Sequence, residues 1–213
     1  MGIVSNLNTV LISLPKEVTL VAVSKTQPNS VILKAYHAGQ KIFGENKVQE
    51  LMQKAEELPK DIIWHMVGHL QTNKVKFIAP FVALIHAVDS IKLLKEINKR
   101  AEQNNRVIEC LLQVHIATES TKFGFDITEV KEAITIAKEF HNIKIVGLMG
   151  MATFTDKKRQ VQEEFISLNA VFESVKNKDI TTLSMGMSGD YQLAIKQGST
   201  MVRVGSAIFG FRN

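Results

Sequence analysis

Eight short apolar runs alternate along the chain with longer segments in which apolar residues recur at helical spacing. The runs cover residues 18–24 (VTLVAVS), 41–46 (KIFGEN), 62–68 (IIWHMVG), 82–89 (VALIHAVD), 108–116 (IECLLQVHI), 144–151 (KIVGLMGM), 181–188 (TTLSMGMS) and 199–210 (STMVRVGSAIFG). Most are continuously apolar, the pattern of strands covered on both faces by other structure, as in a parallel sheet. Between the first two runs, Val31, Leu33, Ala35 and Ala38 predict the apolar side of a helix, with Gly39 as its C-cap. Ser90 is placed to cap a helix carrying Ile91, Leu93, Leu94 and Ile97, and Asp126 to cap one carrying Val130, Ile134 and Ala137. A short N-terminal helix is expected over residues 3–14.

Eightfold alternation of strand and helix in 213 residues, with no Ser-, Gly- or Pro-rich linker, favours one domain spanning residues 1–213. The expected architecture is a closed (β/α)8 TIM barrel rather than an open doubly wound sheet. In such barrels the active site lies at the carboxyl ends of the strands, and phosphate commonly binds after the seventh and eighth. That rule assigns Ser24-Lys25, Gly44-Glu45-Asn46, His65 to Gly68, Gly186 to Gly189 and Arg203 to Ser206 to one rim.

Lys25 closes the first run, with the breaker Pro28 close behind. A lysine there either holds its head in water or, when burial and neighbouring positive charge lower its pKa, offers an unprotonated amine to an aldehyde. Ser188-Gly189 and Gly205-Ser206 supply small residues and free backbone N–H groups, as phosphate cradles do and as ordinary serine-capped turns also do. Arg203, inside MVRVG, must find a partner if its strand is buried, whether a ligand atom or an internal carboxylate, unless its position faces outward. Glu45 beside Asn46 suits either ligand orientation or a helix start. His65 and His69 are four apart, but HMVGH falls on an expected strand, which argues against a metal pair and for a hydrogen-bonded core histidine at 65. Cys110, the only cysteine, lies in an apolar run without a catalytic or redox motif.

Composition changes this picture little. Twenty-six basic against 21 acidic residues give a net charge of +5, which permits attraction to phosphate without making a nucleic-acid surface. The densest basic run, Lys157-Lys158-Arg159, has no interleaved aromatics and reads as a solvated loop or helix start. No apolar stretch reaches membrane-span length, the first residues lack the basic region of a secretory signal, and Asn6 breaks the myristoylation pattern. A cytoplasmic protein is expected, binding neither membrane nor nucleic acid.

VAVSKTQP, FGENKVQE, WHMVGHLQTNK, the KFGF around Phe123, GLMGMAT, LSMGMSGD and GSTMVRVGSAIFG together resemble, in order and spacing, the pyridoxal-phosphate homeostasis protein family, also called the YggS or PROSC family. The resemblance covers about residues 18 to 211. It implies an alanine racemase-like barrel (a fold type III PLP protein) standing alone, with pyridoxal 5′-phosphate (PLP) held as a Schiff base on Lys25. By the same carry-over Asn46 lies near the cofactor ring, and Ser188, Gly205 and Ser206 hold the phosphate. Many relatives have threonine where this chain has Ser206, a change that keeps the hydroxyl. Arg203 faces the pyridine nitrogen, where a cation disfavours protonation and weakens the ring as an electron sink.

Alanine racemases tolerate the same arrangement but add a tyrosine base from a second domain, and no source for one is expected in a chain ending at Asn213, just past the eighth run. The resemblance therefore implies a monomeric carrier in intracellular vitamin B6 homeostasis, without robust catalysis and with PLP-dependent apoenzymes as transient partners. Two competing readings are a small PLP-dependent amino-acid racemase using one lysine base, and a phosphate- or nucleic-acid-binding module in which Lys25 acts only as a charge. The chain departs from the family pattern at His69, where relatives often have proline, and at Val114 to Ala117, which replace a more polar stretch.

Overall fold

In the computed structural model, which describes residues 2–119 and 123–210, the strands close into a parallel barrel in chain order, with the eighth pairing back onto the first. The strands are β1 (Thr19–Val23), β2 (Ile42–Glu45), β3 (Ile63–Met66), β4 (Leu84–Val88), β5 (Ile108–Val114), β6 (Ile143–Gly150), β7 (Thr182–Met187) and β8 (Met201–Val204). The helices are α1 (Ile3–Ile12), α2 (Asn29–His37), α3 (Val48–Glu57), α4 (Val75–Ile78), α5 (Ile91–Gln103), α6 (Val130–Ala137), α7 (Lys158–Val175), α8 (Tyr191–Lys196) and α9 (Ser206–Phe209). Lys122 of the KFGF motif, Phe211 at the end of the resemblance and Asn213 lie outside the described residues.

Seven of the apolar runs contain one strand each, and β6 begins one residue before the sixth run, at Ile143; the run ends spill into turns. Gly68 and His69 thus lie past β3 rather than on it, and the eighth run divides at Gly205 into β8 and α9. Strand alternation sorts the buried residues into two clusters. The larger joins Leu20, Ala22, Val202 and Val204 to helix residues such as Leu7, Ile32 and Leu51. The smaller holds Val21, Val67, Leu84, Leu111, Met149 and Met201 without any helix residue, and is therefore the barrel lumen.

The helices form where their caps and apolar stripes predict. Ser90 accepts Leu93 N–H at 3.3 Å, and Asp126 makes a capping box with Glu129 ahead of α6. Gly39 follows α2 at φ +100°, conformational space that glycine enters without a Cβ penalty. The buried face of α2 centres on Ile32 and Ala35 rather than on Val31 and Leu33, because the i, i+3 row through 32 and 35 meets the sheet and Leu33 packs at its flank. Lys158 opens α7 directly after Lys157, so the basic run is a helix start. Among the described residues no helix is long and apolar enough to cross a membrane, and no group of three or more His, Cys, Asp or Glu could hold a metal ion.

Candidate functional site

Strand register decides which rim residues meet. Val23 pairs with Gly44, and Val21 with Arg203, so the ends of β2 and β8 flank the end of β1. Lys25 lies two residues beyond Val23, in the turn that follows β1. A Cβ on Gly205 would come within 3.2 Å of Val23 O, so the turn after β8 is drawn tightly against β1. Ser188 Oγ accepts N–H groups from Gly205 (3.0 Å) and Ala207 (3.3 Å), joining the turn after β7 to the start of α9. The two small-residue turns chosen from the sequence therefore form one cradle, with Ser206 between its donors. Asn46 follows β2 directly, and Gly68 lets the end of β3 approach it: a Cβ at 68 would sit 2.5 Å from Asn46 O.

Arg203 lies lower, in the lumen, with only 4% of its surface exposed. It does not face outward, and the partners the fold gives it are carbonyls and a hydroxyl rather than a carboxylate. Nη1 donates to Ser184 O (2.9 Å) and Ser184 Oγ (2.7 Å), and Nη2 to Gly150 O (3.1 Å), because barrel closure brings β6 and β7 to it. Burial lowers its pKa to about 10, with Asp190 acting in the opposite direction; the group remains a cation at neutral pH.

A hydroxyl that accepts from a guanidinium is free to give its own proton onward. Ser184 Oγ lies 3.2 Å from His86 Nδ1, and His86 Nε2 lies 3.0 Å from His65 Nδ1. When Ser184 donates its proton to His86 Nδ1, His86 Nε2–H donates in turn to His65 Nδ1, so the two rings and the hydroxyl form one hydrogen-bonded chain ending at Arg203. Burial drives both basicities down, His65 to about 3 and His86 well below its ordinary value, the latter also through His65 and Arg203. The sign follows from proton linkage: the unfolded chain protonates these rings near pH 6.5 and the folded chain does not. The stability they confer is present above pH 6.5 and is lost as pH falls towards 3, by several kcal/mol at most. Denaturant titrations from pH 7 to pH 4 should show falling stability. The loss should be smaller in His65→Gln, and an equal loss in that variant would refute the assignment.

Glu45 neither starts a helix nor lies at the surface. It is fully buried at the end of β2, where Oε1 accepts from Ser24 Oγ (2.6 Å) and Lys54 Nζ (2.8 Å). Burial pushes its carboxyl up, with Lys54 and Ser24 opposing, and its Oε2 is buried without a hydrogen-bond partner among the described residues. Lys54 also reaches Ser24 O (2.9 Å) and Glu50 Oε2 (3.0 Å), and Glu50 Oε2 accepts Thr26 N–H (2.7 Å). Although burial raises the Glu50 pKa, these donors outweigh it and hold the carboxyl below its ordinary value. Gln27 N–H closes on Ser24 O at 3.0 Å, a turn in which Thr26 has φ +63°. For a β-branched residue that conformation costs about 1–3 kcal/mol and needs surrounding support.

Lys54, His86 and Ser184 were not among the sequence-selected residues. Lys54 had one local signal: with Val48 and Leu51 it falls on the inward row of α3. His86 and Ser184 had none, because each acquires its role from another strand. His69 pairs with Asp89 at 3.0 Å and stacks on Phe123, away from His65. Burial, reinforced by Glu109, pushes the Cys110 thiol far up, out of the reactive range. A cavity of about 570 Å³ lies against the starts of α7 and α8; it shares Ser188 and Gly189 with the rim but is not lined by Lys25, Asn46 or Arg203.

The turns after β7 and β8 thus meet through the Ser188 hydroxyl and the N–H groups of Gly205 and Ala207, drawn close against the end of β1 that leads to Lys25, with the Arg203 cation buried lower in the lumen. Over residues 2–213 the chain matches the family described as alanine racemase, N-terminal domain. It is similar to the pyridoxal phosphate homeostasis protein of Aquifex aeolicus, being 40% identical over 197 residues that cover 91% of this chain and 86% of that protein. PipY of Synechococcus elongatus, solved without PLP, superposes with a TM-score of 0.93 at 34% identity over 98% of this chain and all of PipY. With PLP bound, PipY superposes with a TM-score of 0.89 at 33% identity and the same coverage. Alanine racemase of Bartonella henselae, at 17% identity and a TM-score of 0.77 over 98% of this chain and 58% of that one, shares the fold.

Proposed function

The chain belongs to the alanine racemase N-terminal-domain family, and from that premise we propose that it holds PLP on Lys25 and serves intracellular PLP homeostasis, without robust catalysis of its own. The observation that carries this reading is the cradle: Ser188 Oγ, Gly205 N–H and Ala207 N–H converge beside the strand that ends towards Lys25. In this reading the unprotonated Nζ of Lys25 adds to the aldehyde carbon, the carbonyl oxygen departs as water, and a C=N bond replaces C=O. Bound PLP supplies an electron sink whose strength depends on the charge at its pyridine nitrogen. Ser188, Gly205 and Ser206 bind the phosphate, Asn46 orients the ring, and Arg203 keeps a positive charge beneath it.

That charge supports the non-catalytic part of the proposal. Arg203 is buried, cationic and already bonded to Ser184 and Gly150, so it disfavours a proton on the pyridine nitrogen and the carbanion chemistry that such a proton assists. The same reading has the cofactor passed transiently to PLP-dependent apoenzymes by a monomeric, single-barrel carrier.

Incubation with PLP, borohydride reduction and peptide mapping test the attachment. A pyridoxyl mass is expected on the peptide containing Lys25, and its absence there would refute the proposal. Amino-acid racemisation assays test the remainder. Rapid turnover that disappears in Lys25→Ala would establish an enzyme instead.

A further inference from the structure

Lys54 is the only buried lysine among the described residues. Its ammonium spends its full donor capacity on Ser24 O, Glu45 Oε1 and Glu50 Oε2. The first bond holds the carbonyl of the residue before Lys25. Glu50, the ion-pair partner, accepts the N–H of the residue after Lys25 through the same Oε2 that Lys54 contacts, at 2.7 Å. One ion pair on α3 thus grips both peptide groups that flank the candidate attachment residue. It grips them where the backbone needs holding, because Thr26 sits at φ +63° in the turn closed by Gln27 N–H on Ser24 O.

Stability alone does not account for this cluster. A buried ion pair is generally no better for stability than apolar residues of similar volume, and position 54 lies on the inward row of α3 with Leu51, where an apolar side chain belongs.

We propose that the Lys54–Glu50 pair is a positioning device for Lys25. It clamps Ser24 and Thr26 so that Nζ of Lys25 is presented to the cofactor aldehyde, and it thereby sets how long the cofactor stays attached. The inference rests on Lys25 being the attachment residue. In this role Glu50 and Lys54 touch neither the phosphate nor the ring; they act through the backbone on either side of Lys25.

The test compares wild type, Glu50→Ala, Glu50→Gln and Lys54→Met, each loaded with PLP. Release is followed by decay of the Schiff-base absorption band while a phosphatase consumes free PLP. Glu50→Ala and Lys54→Met should release cofactor about tenfold faster, the effect of losing one charge-assisted hydrogen bond at the site. The pH at which the band titrates should shift in both. Glu50→Gln keeps an oxygen for Thr26 N–H and should recover most of the wild-type residence time, a rescue that general destabilisation would not produce. Thermal unfolding of each apoprotein separates folding from function. If Glu50→Ala does not fold, Lys54→Met carries the comparison, and release at the wild-type rate from either folded variant overturns the clamp. Wild type that takes no borohydride-stable label on Lys25 overturns the attachment reading itself, before any variant is compared.

Discussion

Lys25→Ala protein should lose the Schiff-base absorption band and the borohydride-stable label completely, while unfolding almost as wild type does. The two halves of this expectation have separate physical causes. The imine needs an amine at one position, and the other lysine near the end of β1, Lys54, is committed to Ser24, Glu45 and Glu50. Lys25 itself is only partly buried, in a turn past the strand, so truncation removes little packing and should cost at most about 1 kcal/mol. The cradle of Ser188, Gly205 and Ala207 remains in the variant, so if it holds the phosphate as proposed, weak PLP binding that borohydride does not trap should persist. Equilibrium dialysis with and without reduction separates the two modes. A label that survives at full yield in Lys25→Ala would place the attachment elsewhere and remove the basis of the proposed function.

The second large effect concerns the barrel. A Cβ on Gly147 would overlap the carbonyl oxygen of Thr182, its register partner across the β6–β7 ladder, and would come 2.6 Å from Thr182 C. The obstacle is backbone, which cannot rotate away as a side chain can. Gly147→Ala must therefore separate two strands in the middle of a closed barrel, and a cost above about 4 kcal/mol is expected, enough to leave little folded protein. Gly189→Ala is the control: no atom lies within 4 Å of a Cβ there, and the change should stay within about 0.5 kcal/mol. Urea unfolding of both variants decides the matter. Wild-type stability in Gly147→Ala would mean that β6 and β7 do not pair as described. Because Ser184 and Gly150, two partners of Arg203, sit on these strands, any folded remnant should also show altered cofactor binding.

The barrel was legible because its signals are local. Each apolar run is long enough to declare a strand, and Ser90, Asp126 and Gly39 mark helix ends through bonds or dihedrals within a few residues. Run ends were less legible. Gly68 and Gly205 continue an apolar stretch in sequence, yet the strands stop at Met66 and Val204, and only the partner strands set where pairing ends. The candidate site divides the same way. Lys25, Asn46, Ser188, Gly205 and Ser206 could be named from the rule that barrel chemistry sits at strand ends, and Arg203 from its place in a buried strand. The partners of Arg203 could not, because a guanidinium in that run left a ligand atom, an internal carboxylate and an outward-facing position open, whereas closure supplied carbonyls and a hydroxyl.

Sequence by itself determined the eight strands, their parallel order, the rim at which reactive side chains gather and the family resemblance, since all of these depend on residue type at short spacing. Only the tertiary structure decided the pairings that give the site its chemistry: Ser188 with Gly205, His86 with Ser184, and Lys54 with Glu45, Glu50 and the peptide groups around Lys25. The physical reason is register. A slip of one residue between neighbouring strands turns every side chain to the other face, so a contact such as that between His86 and Ser184, 98 residues apart, exists only once the barrel has closed in one alignment.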